Sequence, residues 1–338
     1  MTSSADAYSN SALVYDSDYP FLHYSGHASH NDVARLEKEM ASGKVKLAFH
    51  PPRGYLDSLL KALKISPTSQ VMVFSKTSLQ STIIGPASPR AIYFNDDDYV
   101  AWIDHTPTIE INVMDSALGP VFYTMDEISA QPAHFERQTL VCLACHDTFS
   151  LQGGGVPNFL FLSAYRIEGK EVDTDTVAVK TDNSTPMVER WGGWYVTGKF
   201  GGMLDLGNIL PPANGTLVPL SSVSRANVPS VDRFFDARAY PTDKSDVVAI
   251  LVLQSQIGVH NLIIHANYKS RWLLEQQSPG SSTKNLSWQD LSPAMQKHFV
   301  TLLEPLVRGM LFLGAAKLPA PIQGTSGYEK WFQSRGPF

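Results

Sequence analysis

Ala91-Ile-Tyr-Phe94, Tyr99-Val-Ala-Trp-Ile103, Ile109-Glu-Ile-Asn-Val113 and Val121-Phe-Tyr-Thr124 follow one another closely, with Val71-Met-Val-Phe74 just ahead of them. Each run is short, rich in β-branched and aromatic side chains, and bounded by Gly, Pro, Asn or Asp. That pattern predicts successive strands of a mostly antiparallel sheet. Asn95-Asp-Asp-Asp98 reads as a hairpin turn whose acids are solvated rather than cation-binding.

Helices precede these strands. Asn31 reads as an N-cap ahead of Val33, Leu36 and Met40, with Gly43 as the stop. Leu56, Leu59, Leu60 and Leu63 then share one face before Pro67. Residues 1–30 read as an irregular polar and aromatic arm, where His23, His27 and His30 fall in a loop rather than on one helical face. Downstream, Phe159–Leu162 and Trp194–Thr197 read as further strands, and the proline-rich 210–244 as an extended surface connection. Residues 245–269 form a long helical candidate that is apolar on most faces, hence buried. Residues 292–312 predict another helix, with Met295, Phe299, Leu302, Leu303, Leu306 and Met310 as its apolar side and Pro305 as a kink. A short helix is expected near residue 330.

The expected fold class is therefore α+β: a mostly antiparallel sheet, a cysteine-bearing segment and a C-terminal helical part. The divisions are 1–30, 31–130, 131–210 and 245–338, read as one compact unit. With 43% hydrophobic residues, 17% charged and a net charge of −5 over 338 residues, the chain has an ordinary globular composition and no basic surface for nucleic acid. No uninterrupted apolar run reaches membrane-spanning length.

Both cysteines lie in Cys142-Leu-Ala-Cys145-His146. This C-x-x-C-H spacing is the c-type haem attachment pattern: two thiols one turn apart can each form a thioether to a porphyrin vinyl, and the next residue offers an imidazole to iron. A redox disulfide and half a zinc site are the alternatives. The first lacks its usual strand before Cys142, and the second lacks a further pair of ligands nearby. Haem c, one per chain, is the expected cofactor. Cys142 and Cys145 are its attachment points and His146 the proximal ligand. Met187, Met203 and His260 are candidates for the sixth position. The apolar helix carrying His260 is expected to pack on the haem or its immediate surroundings, with His260 closer to iron than His265 is. Glu189 and Arg190, in Met187-Val-Glu-Arg-Trp-Gly-Gly-Trp-Tyr195, are candidate acid–base and polarising residues.

Ser69–Gln80, Pro89–Asp96, Cys142–His146, Glu189–Gly198 and Gly324–Gly327 together resemble a family of large, single-haem, exported c-type cytochromes of environmental bacteria, over residues from about 50 to the end. The resemblance implies haem attachment at Cys142 and Cys145, ligation by His146 and an address outside the cytoplasm, but no particular activity. Relatives carry histidines near this chain's Phe200, Asp205 and Ser255, so a second metal site is not expected here. Met1-Thr-Ser-Ser-Ala-Asp-Ala-Tyr8 has neither a basic region nor an apolar stretch, as expected of a chain whose export signal has been removed. The functional expectation is a periplasmic mono-haem oxidoreductase acting on a small molecule. The other expectation is an electron-transfer or haem-sensor protein working with a redox partner protein.

Overall fold

Five strands leave the chain in sequence and pair in that order. β1 (Val71–Val73), β2 (Arg90–Phe94), β3 (Asp98–Trp102), β4 (Thr108–Asp115) and β5 (Gly119–Asp126) are each antiparallel to the next. In this computed structural model, which describes residues 22–129, 132–147, 156–167, 178–210, 217–219, 221, 223, 227–277 and 287–336, two further strands complete the sheet. β6 (Phe135–Arg137) adds to β5, and β10 (Trp194–Tyr195) returns to the outer side of β1, giving the order β10-β1-β2-β3-β4-β5-β6. β6 lies where no strand is expected. Two small ladders stand apart: β7 (Leu162–Ser163) with β9 (Val179–Lys180), and β8 (Arg166–Ile167) parallel to β11 (Leu217–Val218). The fold class is α+β, as the sequence predicts.

The turn between β2 and β3 is held by the Asn95 side chain, whose Oδ1 accepts the amides of Asp97 at 3.0 Å and Asp98 at 2.8 Å. Asp98 is buried rather than solvated, and burial pushes its carboxyl up to about 7.

The two faces of the sheet differ. On one, Tyr93, Val100, Ile111 and Tyr123 form a continuous row of buried side chains across β2 to β5. Helix α1 (Asp32–Ala41) closes this face. Its N-cap Asn31 accepts the Ala34 amide at 3.0 Å and donates to the Tyr123 hydroxyl at 3.2 Å. Helix α2 (Leu56–Ala62) adds Leu56, Leu59 and Leu60 to the core. The stretch from Val228 to Ser245 belongs to the core as well. Phe234 and Phe235 stack on Tyr195 and Tyr240 meets Trp102 edge-on, so this part of the expected surface connection is packed structure.

The opposite face is only partly covered. Residues 156–165 cross it from the β5 side to β10: Phe159 packs on Tyr99 at 4.7 Å and Phe161 stacks on Trp194 at 4.6 Å. Helix α4 (Val247–Gln277) runs past the β2–β3 and β4–β5 turns. Gln256 reaches the Asn95 carbonyl, and Tyr268 the Leu118 carbonyl. It extends eight residues beyond its expected end, because its last turns still have the β4–β5 turn to pack against, with Arg271 on the Ala117 carbonyl. By length and composition α4 is long and apolar enough to cross a membrane, although its longest strictly apolar run is short. Here its buried Gln254 and Asn261 are committed to the rest of the fold.

Helix α5 (Pro293–Met310) lies along α4 and runs unbroken through Pro305. Met295 and Phe299 are buried as predicted, but Met310 is exposed. Helix α6 (Tyr328–Gln333) closes the chain on the β2–β3 end through Tyr328 against Phe94.

Candidate functional site

The C-x-x-C-H motif forms a single helical turn, α3 (Leu143–His146), with Cys142 as its N-cap. Leu143 and Ala144 point into the protein, leaving Cys142 half-buried, Cys145 exposed and neither thiol in a disulfide. His146 packs on Phe122 of β5, with ring centroids 4.5 Å apart. Its Nδ1 lies 2.7 Å from the carbonyl oxygen of Asn158, and the Asn158 amide donates back to the His146 carbonyl at 2.8 Å. A carbonyl can only accept, so Nδ1 carries the proton. Nε2, which makes no hydrogen bond among the described residues, presents a lone pair. Burial pulls the His146 pKa down to about 4, so the ring is neutral at ordinary pH, as a metal-binding imidazole must be.

Asn158 is fully buried and ties the motif to the rest of the fold. Its side chain donates to the Val156 carbonyl at 2.9 Å, and its Oδ1 lies 3.2 Å from Nε2 of His265 on α4. One residue on, Phe159 exchanges both of its backbone hydrogen bonds with the Asn261 side chain, each at 2.9 Å. Helix α4 therefore supports the segment that orients His146. Contrary to expectation, the histidine joined to that network is His265 rather than His260. His260 instead binds the Tyr99 hydroxyl through Nδ1 at 2.9 Å, and Gln256 donates to the same hydroxyl at 2.8 Å. Phe159, whose ring centroid is 5.9 Å from that of His260, follows directly on Asn158. His260 is a hydrogen-bonded core histidine in this arrangement.

The other sequence candidates lie in the chain around β10. Met187 and Met203 are buried and flank β10 in the chain, and β10 itself lies five strand spacings, about 24 Å, across the sheet from the β5 strand under His146. Arg190 is buried and spends its guanidinium on the carbonyls of Thr185 and Asn183, both at 2.8 Å, and on Gln254 at 3.3 Å. Glu189 sits beside it in a short 3₁₀ turn. Arg190 thereby anchors a loop to α4 through Gln254.

What the structure does bring to the motif had no signal in the sequence. The strand β4 is buried at every second residue and half-open at Thr108, Glu110, Asn112 and Met114, although it lies inside the sheet. Ile92, Ala101 and Glu110 are cross-strand neighbours in this half-open zone. Glu110 pairs with Arg90 at 3.0 Å, and both charges act on the His146 ring. Burial, with Glu110 and Cys145 adding to it, pushes the Cys142 thiol up to about 12. Exposed apolar side chains rim the zone. Leu79 and Ile83 flank Gln80, which donates to Glu110 at 3.1 Å, and Leu140 and Val141 precede Cys142.

Family models, characterised proteins and solved structures offer no match to this chain.

The arrangement suits covalent haem better than the alternatives. A redox dithiol needs a thiol pKa lowered toward neutrality, and Cys142 is shifted the other way. Zinc needs four donors, and among the described residues no group of three or more His, Cys, Asp or Glu side chains converges. Haem needs two thiols a turn apart, one neutral imidazole with its far nitrogen open, and a flat, largely apolar surface beside them.

Proposed function

We propose that this chain carries one haem c, attached through Cys142 and Cys145 with His146 as axial ligand, and that it serves as a redox protein outside the cytoplasm. The observation that carries this reading is the His146 imidazole, fixed through Nδ1 by the Asn158 carbonyl and open at Nε2, on the turn that holds both thiols. When bound, the group supplies one-electron chemistry at iron. The chain's own part is to hold the imidazole neutral and oriented, and to offer as a seat the half-open face of β2, β3 and β4, where Ile92, Ala101 and Met114 lie beside the polar Thr108, Glu110 and Asn112. A proximal histidine whose Nδ1–H is donated to a carbonyl is a stronger electron donor than a free imidazole, which favours the oxidised iron.

Electron exchange with a partner protein is the form of the activity favoured here, because the Arg190 guanidinium is committed to holding a loop on α4. The Arg90–Glu110 pair supports a second reading. An acid and a guanidinium beside the half-open zone are the groups a haem oxidoreductase would use on a small substrate.

The test is a pyridine haemochrome assay on protein produced with export and haem-attachment machinery. A c-type spectrum that stays with the denatured polypeptide is expected from wild type and not from Cys142→Ala/Cys145→Ala. Matured protein without covalent haem would overturn the proposal. Cyanide or carbon monoxide binding to the loaded protein then separates the two forms: an iron that refuses both belongs to an electron carrier.

A further inference from the structure

Arg90 on β2 and Glu110 on β4 pair at 3.0 Å across the intervening β3, where Ala101, the cross-strand neighbour of Glu110, leaves room for the contact. Each side chain is only 16% exposed, so water and salt screen the pair weakly. The pair also stands next to the C-x-x-C-H motif. Glu110 is the cross-strand partner of Thr124, which lies two residues along β5 from Phe122 and shares its face, and His146 packs on Phe122.

The two charges are unequally compensated. Both carboxylate oxygens of Glu110 are held, one by Arg90 and the other by the Gln80 side-chain amide at 3.1 Å. Gln80 is itself fixed, since it donates to the Thr108 carbonyl at 3.0 Å and accepts the Thr106 hydroxyl. The Arg90 guanidinium makes only the one hydrogen bond to Glu110 among the described residues, and its Nε is buried with no acceptor. The acid is thus stabilised from two sides and the cation from one.

The pair is oriented as well. Beyond burial and the Asn158 bond, the Arg90 guanidinium acts on the His146 ring more strongly than the Glu110 carboxylate does, whereas at the Cys142 thiol it is Glu110 that adds to burial. The field of the cation therefore prevails at the imidazole, and that of the acid at the first cysteine. A positive charge near a redox centre favours the arrival of an electron, and a negative one opposes it.

We propose that Arg90 and Glu110 set the reduction potential of the haem held by His146, the guanidinium favouring reduced iron and the carboxylate limiting how far. The cation then opposes the Asn158 carbonyl, whose bond to His146 favours the oxidised state. This tuning rests on the haem reading above and applies alike to an electron carrier and to an oxidoreductase. Neither residue needs to touch the iron, because a half-buried charge acts at a distance through the poorly screened seat.

Redox titration of the loaded full-length protein, on preparations whose covalent haem has been established by pyridine haemochrome, tests it. Arg90→Gln should lower the midpoint potential by about 59 mV, a tenfold shift of the one-electron couple toward oxidised iron, and Glu110→Gln should raise it. Arg90→Lys keeps the charge and should stay near wild type, which a role limited to packing would not produce. Arg90→Gln/Glu110→Gln leaves no lone half-buried charge to disturb folding, and its midpoint should fall by less than that of Arg90→Gln. With covalent haem present, three results would overturn this inference and leave the haem reading standing: a midpoint that Arg90→Gln, or the double variant if the single ones do not fold, leaves unmoved or raises; equal shifts for Arg90→Gln and Arg90→Lys; or a fall with Glu110→Gln. Matured protein without haem c would overturn both.

Discussion

Asn158 shows how much one side chain can do away from the reactive groups. Its carbonyl fixes the His146 tautomer, while its buried amide bonds both the Val156 carbonyl and His265. Asn158→Ala removes the two side-chain bonds, leaves their partners unsatisfied and keeps the carbonyl. Chemical denaturation should show a loss of about 2 kcal/mol. Covalent attachment should survive, and in loaded protein the Soret band should stay in place, because the carbonyl that holds His146 is retained. His146→Ala should move that band outright with little cost to folding. None of this was legible in the sequence, because the group that orients His146 is a backbone oxygen and any residue supplies one. The motif itself was legible, since its chemistry is local to five residues.

Asp246 does comparable work between elements. It is fully buried at the head of α4. One carboxylate oxygen accepts the amides of Val248 at 2.8 Å and Ala249 at 3.2 Å, and the other accepts those of Thr325 at 2.6 Å and Ser326 at 2.8 Å. Gly324 is required there, since a Cβ would lie 2.6 Å from the carboxylate. Replacing Asp246 by alanine removes a helix cap and frees the loop before α6, so the expected loss is about 3 kcal/mol by urea denaturation. Gly324→Ala should lower stability in the same direction. At this scale the strands were readable because alternation and turn residues act over a few positions. The place of the segment around Met187 and Met203 was not: their separation from His146 along the chain resembles that of a ligand pair, and only the return of β10 to the β1 edge sets that strand five places across the sheet from β5.

For the molecule as a whole, two sets of buried titratable groups oppose each other. Burial lowers His146, His260 and His265 to about 4, so between about 6.5 and 4 the unfolded chain binds more protons and stability falls as pH falls. Burial raises Asp98, Glu127 and Asp205 to about 7. Over the range from about 4 to 7 the folded chain binds more protons, and their contribution is lost as pH rises. The two slopes run against each other across the same interval, so thermal midpoints of the unloaded chain should vary little there. Asp205→Asn keeps an acceptor for the Gly207 amide and removes one of the opposing groups. The variant should exceed wild type at pH 8, by on the order of 2 kcal/mol, and lose that advantage at pH 5.

The seam between β1 and the later chain also sets an order of events in time. Strands β2 to β6 meet neighbours close in sequence, and their hairpins can form as soon as the turns do. The outer edge of β1 waits for Trp194 and Tyr195, while the Gln70 side chain and the Met72 amide wait for Thr242, Lys244 and Ser245. Closing such a long loop is slow, so refolding should show a fast phase for the hairpins and a later one for the seam. A polypeptide that has emerged only as far as residue 190 leaves the apolar outer edge of β1 open, the form in which chains most readily stick to one another. Until β10 arrives to cover it, this protein is a natural client for a holdase.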